Sequence, residues 1–282
     1  MYKLGLSTNG GKPICDELFE NYRRSGISAM EVSVGDMYNY QKLDYKELLR
    51  LSKQYNVDLW ALHLPFLPFE DIDISSPQLA DKSVSFLCDI INKASDIGIN
   101  KFVIHASGEP IPDEDRQSRM ERAKEGLGIL SEFASKQGGV IAVEDLPRTC
   151  LGRNSDEISE LISVDDRLRV CFDTNHLLSE NPIDFIHKLG NKIITTHISD
   201  YDFINERHWL PGEGKLDWKN ILQTFKDVGY SGIWLYEISF ICPPSIIRNR
   251  DLTCEDFARN ASELFAGKTP TVFSEHIPNL GM

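Results

Sequence analysis

Short apolar runs recur along the chain, and six of them end in a histidine or a carboxylate: Leu59–His63, Phe102–His105, Ile141–Glu144, Val170–Asp173, Ile193–His197 and Leu235–Glu237. A short apolar run between polar stretches reads as a buried β-strand. On that basis strands are predicted near 3–8, 29–34, 57–63, 101–106, 140–145, 168–173, 193–198 and 233–238. Between and after them the apolar positions recur at helical spacing, over 14–25, 44–56, 78–98, 116–137, 154–163, 182–189, 217–228 and 253–265. Ser76-Pro77 is a plausible helix start, with Pro in the first turn, and Gly26, Gly98, Gly138, Gly190 and Gly229 mark helix ends.

Eight strand-then-helix units in 282 residues predict a parallel (β/α)8 TIM barrel, a fold of about 250 residues. An open doubly wound sheet is the alternative. The barrel is preferred because polar side chains at six strand ends must share partners to be buried at acceptable cost. In a barrel all strand C-termini surround one mouth; in an open sheet they lie along a line. The expected organisation is one domain, 1–267, with a tail, 268–282, packing over the barrel or against another subunit of a homo-oligomer.

Composition narrows the function classes. The net charge of -13 opposes long-range attraction to a phosphate backbone, so nucleic acid is a disfavoured partner. No apolar run is long enough for a membrane span, and the N-terminus lacks an apolar signal segment. The six cysteines form no Cys-x-x-Cys pair and read as reduced thiols of a cytoplasmic protein, with Cys171 a small core residue.

Histidine and carboxylate donors without a thiolate make a borderline-to-hard site suited to Mn, Zn, Mg or Co. Glu144, Asp173, His197 and Glu237 end the fifth to eighth strands and are the expected ligands of one divalent ion. His63 and His105 end the third and fourth strands, His176 follows Asp173, and Glu206, Arg207 and His208 lie in the loop after the seventh strand. Taken singly, each has a bland reading: a strand-end histidine is often a hydrogen-bonded core residue, and a helix N-cap is the alternative for Asp36, Asp145 and Asp200. Taken together, the convergence argues for a site. His187 and His276 have no expected role. Trp60, Phe66, Phe69 and Trp209 are candidates for stacking on a sugar ring, with a core role the alternative for Trp60, and Glu31 is a candidate substrate contact.

Several motifs resemble those of the xylose isomerase-like barrel superfamily, which includes sugar phosphate isomerases and epimerases, inosose dehydratase and endonuclease IV. They are Glu144-Asp145-Leu146, Asp173-x-x-His176 and His197-Ile198-Ser199-Asp200, then His208-x-x-Pro211-Gly212-x-Gly214-x-x-Asp217-Trp218, and Gly229-Tyr230-x-Gly232 leading to Glu237. Resemblance to the ketose epimerases implies Glu144, Asp173, His197 and Glu237 as metal ligands. It also implies Glu144 and Glu237 as the acid/base pair and His176 on a substrate oxygen. Those epimerases usually carry a substrate-binding Arg where this chain has His208. At that point Glu206-Arg207-His208 is more similar to endonuclease IV, with Glu in place of Asp. Its trimetal set would map onto His63, His105, Glu144, Asp173, His176, His197, Glu206, His208 and Glu237.

The favoured expectation is a metal-dependent isomerase or epimerase acting on a small carbohydrate, a free sugar, sugar phosphate or inosose. Proton abstraction next to a carbonyl would pass through a metal-stabilised enediolate, with Glu144 and Glu237 exchanging the proton. His63, His105, His176, Arg207 and His208 are the expected substrate contacts. Phosphodiester hydrolysis at abasic DNA sites is the alternative, and needs the extra histidines as ligands. A non-catalytic barrel is disfavoured, because unused buried carboxylates destabilise a fold.

Overall fold

The computed structural model describes residues 2–8, 13–33, 40, 42–66 and 71–277; Asp36 and Phe69 lie outside them. The eight expected strands are β1 (Leu4–Ser7), β2 (Ala29–Val32), β3 (Asp58–His63), β4 (Lys101–Ile104), β5 (Val140–Glu144), β6 (Arg169–Asp173), β7 (Ile193–His197) and β8 (Trp234–Tyr236). They pair in parallel from β7 through β1 to β8. The ring is closed by Ile198, whose N–H donates to the Leu235 carbonyl at 2.8 Å while its carbonyl accepts from Glu237 N–H at 3.3 Å. The fold is a (β/α)8 barrel.

The helices, among the described residues, are α1 (Asp16–Ser25), α2 (Tyr45–Tyr55), α3 (Ala80–Ser95), α4 (Arg116–Lys136), α5 (Ser155–Ile162), α6 (Pro182–Leu189), α7 (Trp218–Asp227) and α8 (Cys254–Phe265). Their starts follow local chemistry. Asp44, Asn154, Asn181 and Asp217 each cap a helix by accepting a backbone N–H of its first turn. Pro77 departs from expectation: Ser76 and Pro77 form a turn, in which the Ser76 carbonyl accepts from Ala80 N–H, and α3 begins at Ala80. None of the described helices is long and apolar enough to cross a membrane.

Two-residue alternation sorts each strand. Along β5, Ile141 and Val143 pack between barrel and helices, whereas Ala142 joins Ala61, Val103 and Cys171 in a separate layer inside the barrel. The same step turns His63, Glu144 and Asp173 inward at the ends of β3, β5 and β6, above that layer. Trp60 belongs to this interior rather than to the mouth: it packs on the small-residue layer, and its indole N–H donates to Thr195 Oγ1 at 3.1 Å. Its stacking role is therefore replaced by the core alternative.

Beyond the barrel, β9 (Ile246–Arg248) pairs antiparallel with β10 (Ser274–His276), so residues of the expected tail fold back onto the segment after β8. Neither short strand was legible as a strand in the sequence.

Candidate metal and substrate site

Glu144 is the hub of the mouth. Its Oε2 lies 3.0 Å from His63 Nε2 and 3.1 Å from His105 Nε2, and its Oε1 lies 2.8 Å from His197 Nδ1. His197 Nδ1 is also 3.5 Å from Glu237 Oε2 and 3.9 Å from Asp173 Oδ2. Glu144, Asp173, His197 and Glu237 are all buried, and each offers a ligand atom within 4.8 Å of the others. A second group, His63, His105 and Glu144, shares the hub; a third, His176, Glu206 and His208, stands beside it.

The charges in this cluster are interdependent. Burial pushes Glu144 up, but His197 and His105 outweigh it and hold the carboxyl well below the usual range. Glu237 follows the same logic to a smaller extent, burial being outweighed chiefly by His197. Asp173 goes the other way, pushed up to about 6 by burial with help from Glu237 and against His176. Burial would lower His197 and His63, yet both are raised, His197 by Cys171 and the carboxylates around it and His63 by Glu144. For His105 burial prevails and its value falls.

Asn175 organises the third group. Its backbone N–H donates to Asp173 Oδ1 at 2.7 Å, and its side-chain oxygen accepts from Arg207 N–H at 2.8 Å and His208 N–H at 3.3 Å. Those bonds hold His208 at φ 50°, in the left-handed region that non-glycine residues seldom adopt. His176 Nδ1 is 2.8 Å from the Asp145 carbonyl, to which it donates, so that Nε2 faces Glu206 at 3.4 Å and Asp173 at 3.6 Å.

Above the cluster is a cavity of about 510 Å³, lined among others by Phe66, His105, Glu144, His176, His208 and Glu237. Arg148 stands at its rim, paired with Glu109 and Glu206. Arg207 is not brought to the cavity among its described lining residues; its Nε donates to Asp202 Oδ2 at 2.9 Å. Trp209 is buried and its indole N–H donates to Ser245 Oγ at 2.9 Å, which leaves Phe66 as the aromatic wall among the described candidates.

Residues 19–248 match the family model for the xylose isomerase-like TIM barrel. The chain belongs to this family. An uncharacterized protein of Methanocaldococcus jannaschii is 24% identical over 223 residues, covering 76% of this chain and 75% of its own. The D-psicose 3-epimerase of Enterocloster bolteae is 25% identical over 233 residues, covering 75% of this chain and 72% of its own. A solved structure described as a D-tagatose 3-epimerase-like protein superposes with a TM-score of 0.78 at 21% identity, covering 94% of this chain and 96% of its own.

Several residues of this xylose isomerase-like barrel do work that sequence reasoning assigned otherwise. Asp145 and Asp200 are not helix caps. Asp145 Oδ1 accepts from Asp173 N–H at 2.8 Å, below the mouth. Asp200 is buried and gathers the Gly-rich loop, accepting from Gly212 N–H and Trp218 Nε1 at 2.8 Å and Leu216 N–H at 3.1 Å. A Cβ at Gly214 would stand 2.2 Å from Asp200 Oδ1, so this close approach requires glycine. Glu31 turns to His197 (3.0 Å to Nε2), which makes it a support of the cluster. His276 rests edge-on against Trp209, with ring centroids 4.9 Å apart. Asn175 and the buried Glu213–Arg248 ion pair went unread; the only signal for Asn175 was its place between Asp173 and His176.

Proposed function

We propose that this protein is a divalent-metal-dependent sugar epimerase or isomerase, with Glu144 and Glu237 as its acid/base pair and Asp173 and His197 completing the metal-binding set. One observation carries the reading: four buried side chains, three ending strands and Glu237 directly following β8, bring their donor atoms within 4.8 Å of one another. The donor chemistry fits a cation. Asp173 Oδ2 is buried without a hydrogen-bond partner, an arrangement that is costly for a carboxylate unless something positive is held beside it. Mn, Zn, Mg and Co all suit oxygen and imidazole donors, and an ion bound there supplies Lewis-acid polarisation of a substrate carbonyl and its neighbouring hydroxyl. The similarity to a D-psicose 3-epimerase supports a carbohydrate substrate.

The chain's own groups then divide the work. The carboxylates of Glu144 and Glu237 are kept ionised by His197, so either can accept a proton from the carbon next to a carbonyl. The other, once protonated, returns a proton to the opposite face or to the adjacent carbon. His176 presents Nε2 and His208 lines the cavity, both suited to substrate hydroxyls, while Phe66 offers an apolar wall to a sugar face. A cavity of about 510 Å³ lies within the range for small-molecule sites. Arg207, whose Nε donates to Asp202 Oδ2, has no part in this scheme.

The test is deuterium exchange at the carbon next to the carbonyl, followed by NMR over a panel of ketoses and inososes with the metal-loaded protein. Glu144→Gln and Glu237→Gln should each lower exchange by roughly 10²- to 10⁴-fold with the fold intact. Full exchange in both variants, or full turnover by chelator-treated protein, overturns the reading.

A second reading rests on two of the additional groups. His63 with His105 and Glu144, and His176 with Glu206 and His208, extend the donor set toward a multi-ion phosphodiesterase acting at abasic DNA. The charge of -13 weighs against it, as do Glu109 and Glu206 on Arg148, which occupy the cation at the rim. A cytoplasmic setting, read from the cysteine spacing in the sequence, belongs to the same proposal. The division into a barrel, 1–267, and a tail, 268–282, stands as part of the same proposal.

A further inference from the structure

The strand-end residues supply only oxygen and nitrogen donors, but the barrel interior places a sulfur directly beneath them. Cys171 lies two residues before Asp173 on β6 and therefore on the same inward face. It is fully buried, in a layer otherwise made of small apolar side chains, Ala61, Val103 and Ala142. Its Sγ, a Glu144 oxygen and a His197 nitrogen all lie within 4.8 Å of one another. Among the described residues no other cysteine joins such a group. Glu144 and His197 are thus shared between an oxygen-rich set above, completed by Asp173 and Glu237, and a sulfur-containing set below.

We propose that Cys171 gives this site a second, thiophilic binding mode, in which Glu144, Cys171 and His197 hold a zinc-, cobalt- or cadmium-class ion. The inference rests on the metal-site reading above. A thiolate is a soft ligand and selects these ions over magnesium and manganese, for which sulfur is a poor donor. On coordination the S–H bond breaks, the sulfur lone pair binds the ion and the proton leaves to solvent; no oxidant or reductant is involved. The competing thiol at the cavity is Cys150, one of its described lining residues.

The experiment uses full-length protein stripped with chelator and titrated with Co(II) and, separately, Cd(II). Wild type and Cys150→Ser should show a sulfur-to-metal charge-transfer band in the ultraviolet. Cys171→Ser should lose that band while keeping visible cobalt d–d absorption. Its preference for Cd(II) over Mn(II), measured by competition, should fall by at least about tenfold, the lower end of what ligand-shell changes produce. Cys171→Ala, which buries no hydroxyl, is the second variant should the serine substitution disturb folding, judged by circular dichroism. An undiminished band in either folded Cys171 variant overturns the proposal, as does a wild-type spectrum with d–d bands and no sulfur band. Absence of every cobalt feature in wild type overturns the metal site itself, so failure of the underlying reading is distinguishable from failure of the thiol assignment.

Discussion

Glu31 and His197, 166 positions apart in the chain, meet inside the barrel with His197 Nε2 3.0 Å from Glu31 Oε1 and 3.1 Å from Oε2. That contact sets the imidazole: Nε2–H donates to Glu31, and Nδ1 is directed at Glu144, Glu237 and Asp173. A carboxylate behind a histidine ligand fixes its tautomer and raises its basicity. Glu31→Gln should therefore lower divalent-metal affinity by roughly 10- to 100-fold without unfolding the barrel. Competition against a calibrated chelator measures it, and wild-type affinity in that variant would remove Glu31 from the support of His197.

Metal binding should strengthen as pH rises. Carboxylates around His63, His176 and His197 raise all three above the ordinary histidine value despite burial. An ion using their nitrogens must displace protons that the metal-free fold favours. Affinity should climb as pH rises toward the raised folded histidine values, by about one log unit per pH unit for each proton displaced. Calorimetry in buffers of different ionisation enthalpy should register proton release. The metal-free fold should show the opposite trend. Stability from these raised groups is complete below the unfolded histidine value and is lost as pH rises through the higher folded one. A pH-independent affinity contradicts the scheme.

His63 separates the two proposed chemistries. Its Nε2 contacts Glu144 Oε2, and its Nδ1 is 2.8 Å from the Leu64 carbonyl. In a one-ion epimerase, His63→Ala should retain one ion per chain, because the four-donor group does not include it. In a multi-ion phosphodiesterase the same substitution should remove an ion and most of the hydrolysis. Elemental analysis of wild type and variant decides between them.

The loop carrying His208 depends on a buried ion pair. Arg248 Nε donates to Glu213 Oε1 at 3.2 Å, both side chains are fully buried, and Glu213 Oε2 accepts from Leu210 N–H at 3.0 Å. Arg248→Met leaves Glu213 uncompensated and should cost about 3–5 kcal/mol in urea unfolding. Replacing both partners, Glu213→Leu with Arg248→Met, should recover a large part of that loss, the remainder reflecting Leu210 N–H without its acceptor. A single-variant cost below about 1 kcal/mol, the scale of exposed pairs, would mean the pair is solvated in solution.

Much of the fold was legible in the sequence because its signals are local. Apolar runs and helical spacing located the eight strands and the helices between them, and Asp44, Asn154, Asn181 and Asp217 sit where capping chemistry puts them. The inward set, Glu144, Asp173, His197 and Glu237, followed from alternation and ring closure. Residues whose importance comes from what stands opposite them were misread. Asp200 resembles any loop aspartate until Gly212, Leu216 and Trp218 are folded around it. Arg207 belongs to the same class: its neighbours in sequence face the mouth, and Asp202 holds it elsewhere.

By itself the sequence determined that this chain alternates strand and helix and that polar donors stand at the strand ends, since both properties reside in a period of two or 3.6 residues along the backbone. Only the tertiary structure decided which atoms meet. His197 faces Glu31 with one nitrogen and Glu144 with the other, Cys171 lies within reach of the cluster, and Arg248 is buried against Glu213. Those pairings depend on barrel closure and side-chain rotamers, which bring distant segments within a few ångströms and leave no periodic trace in the chain.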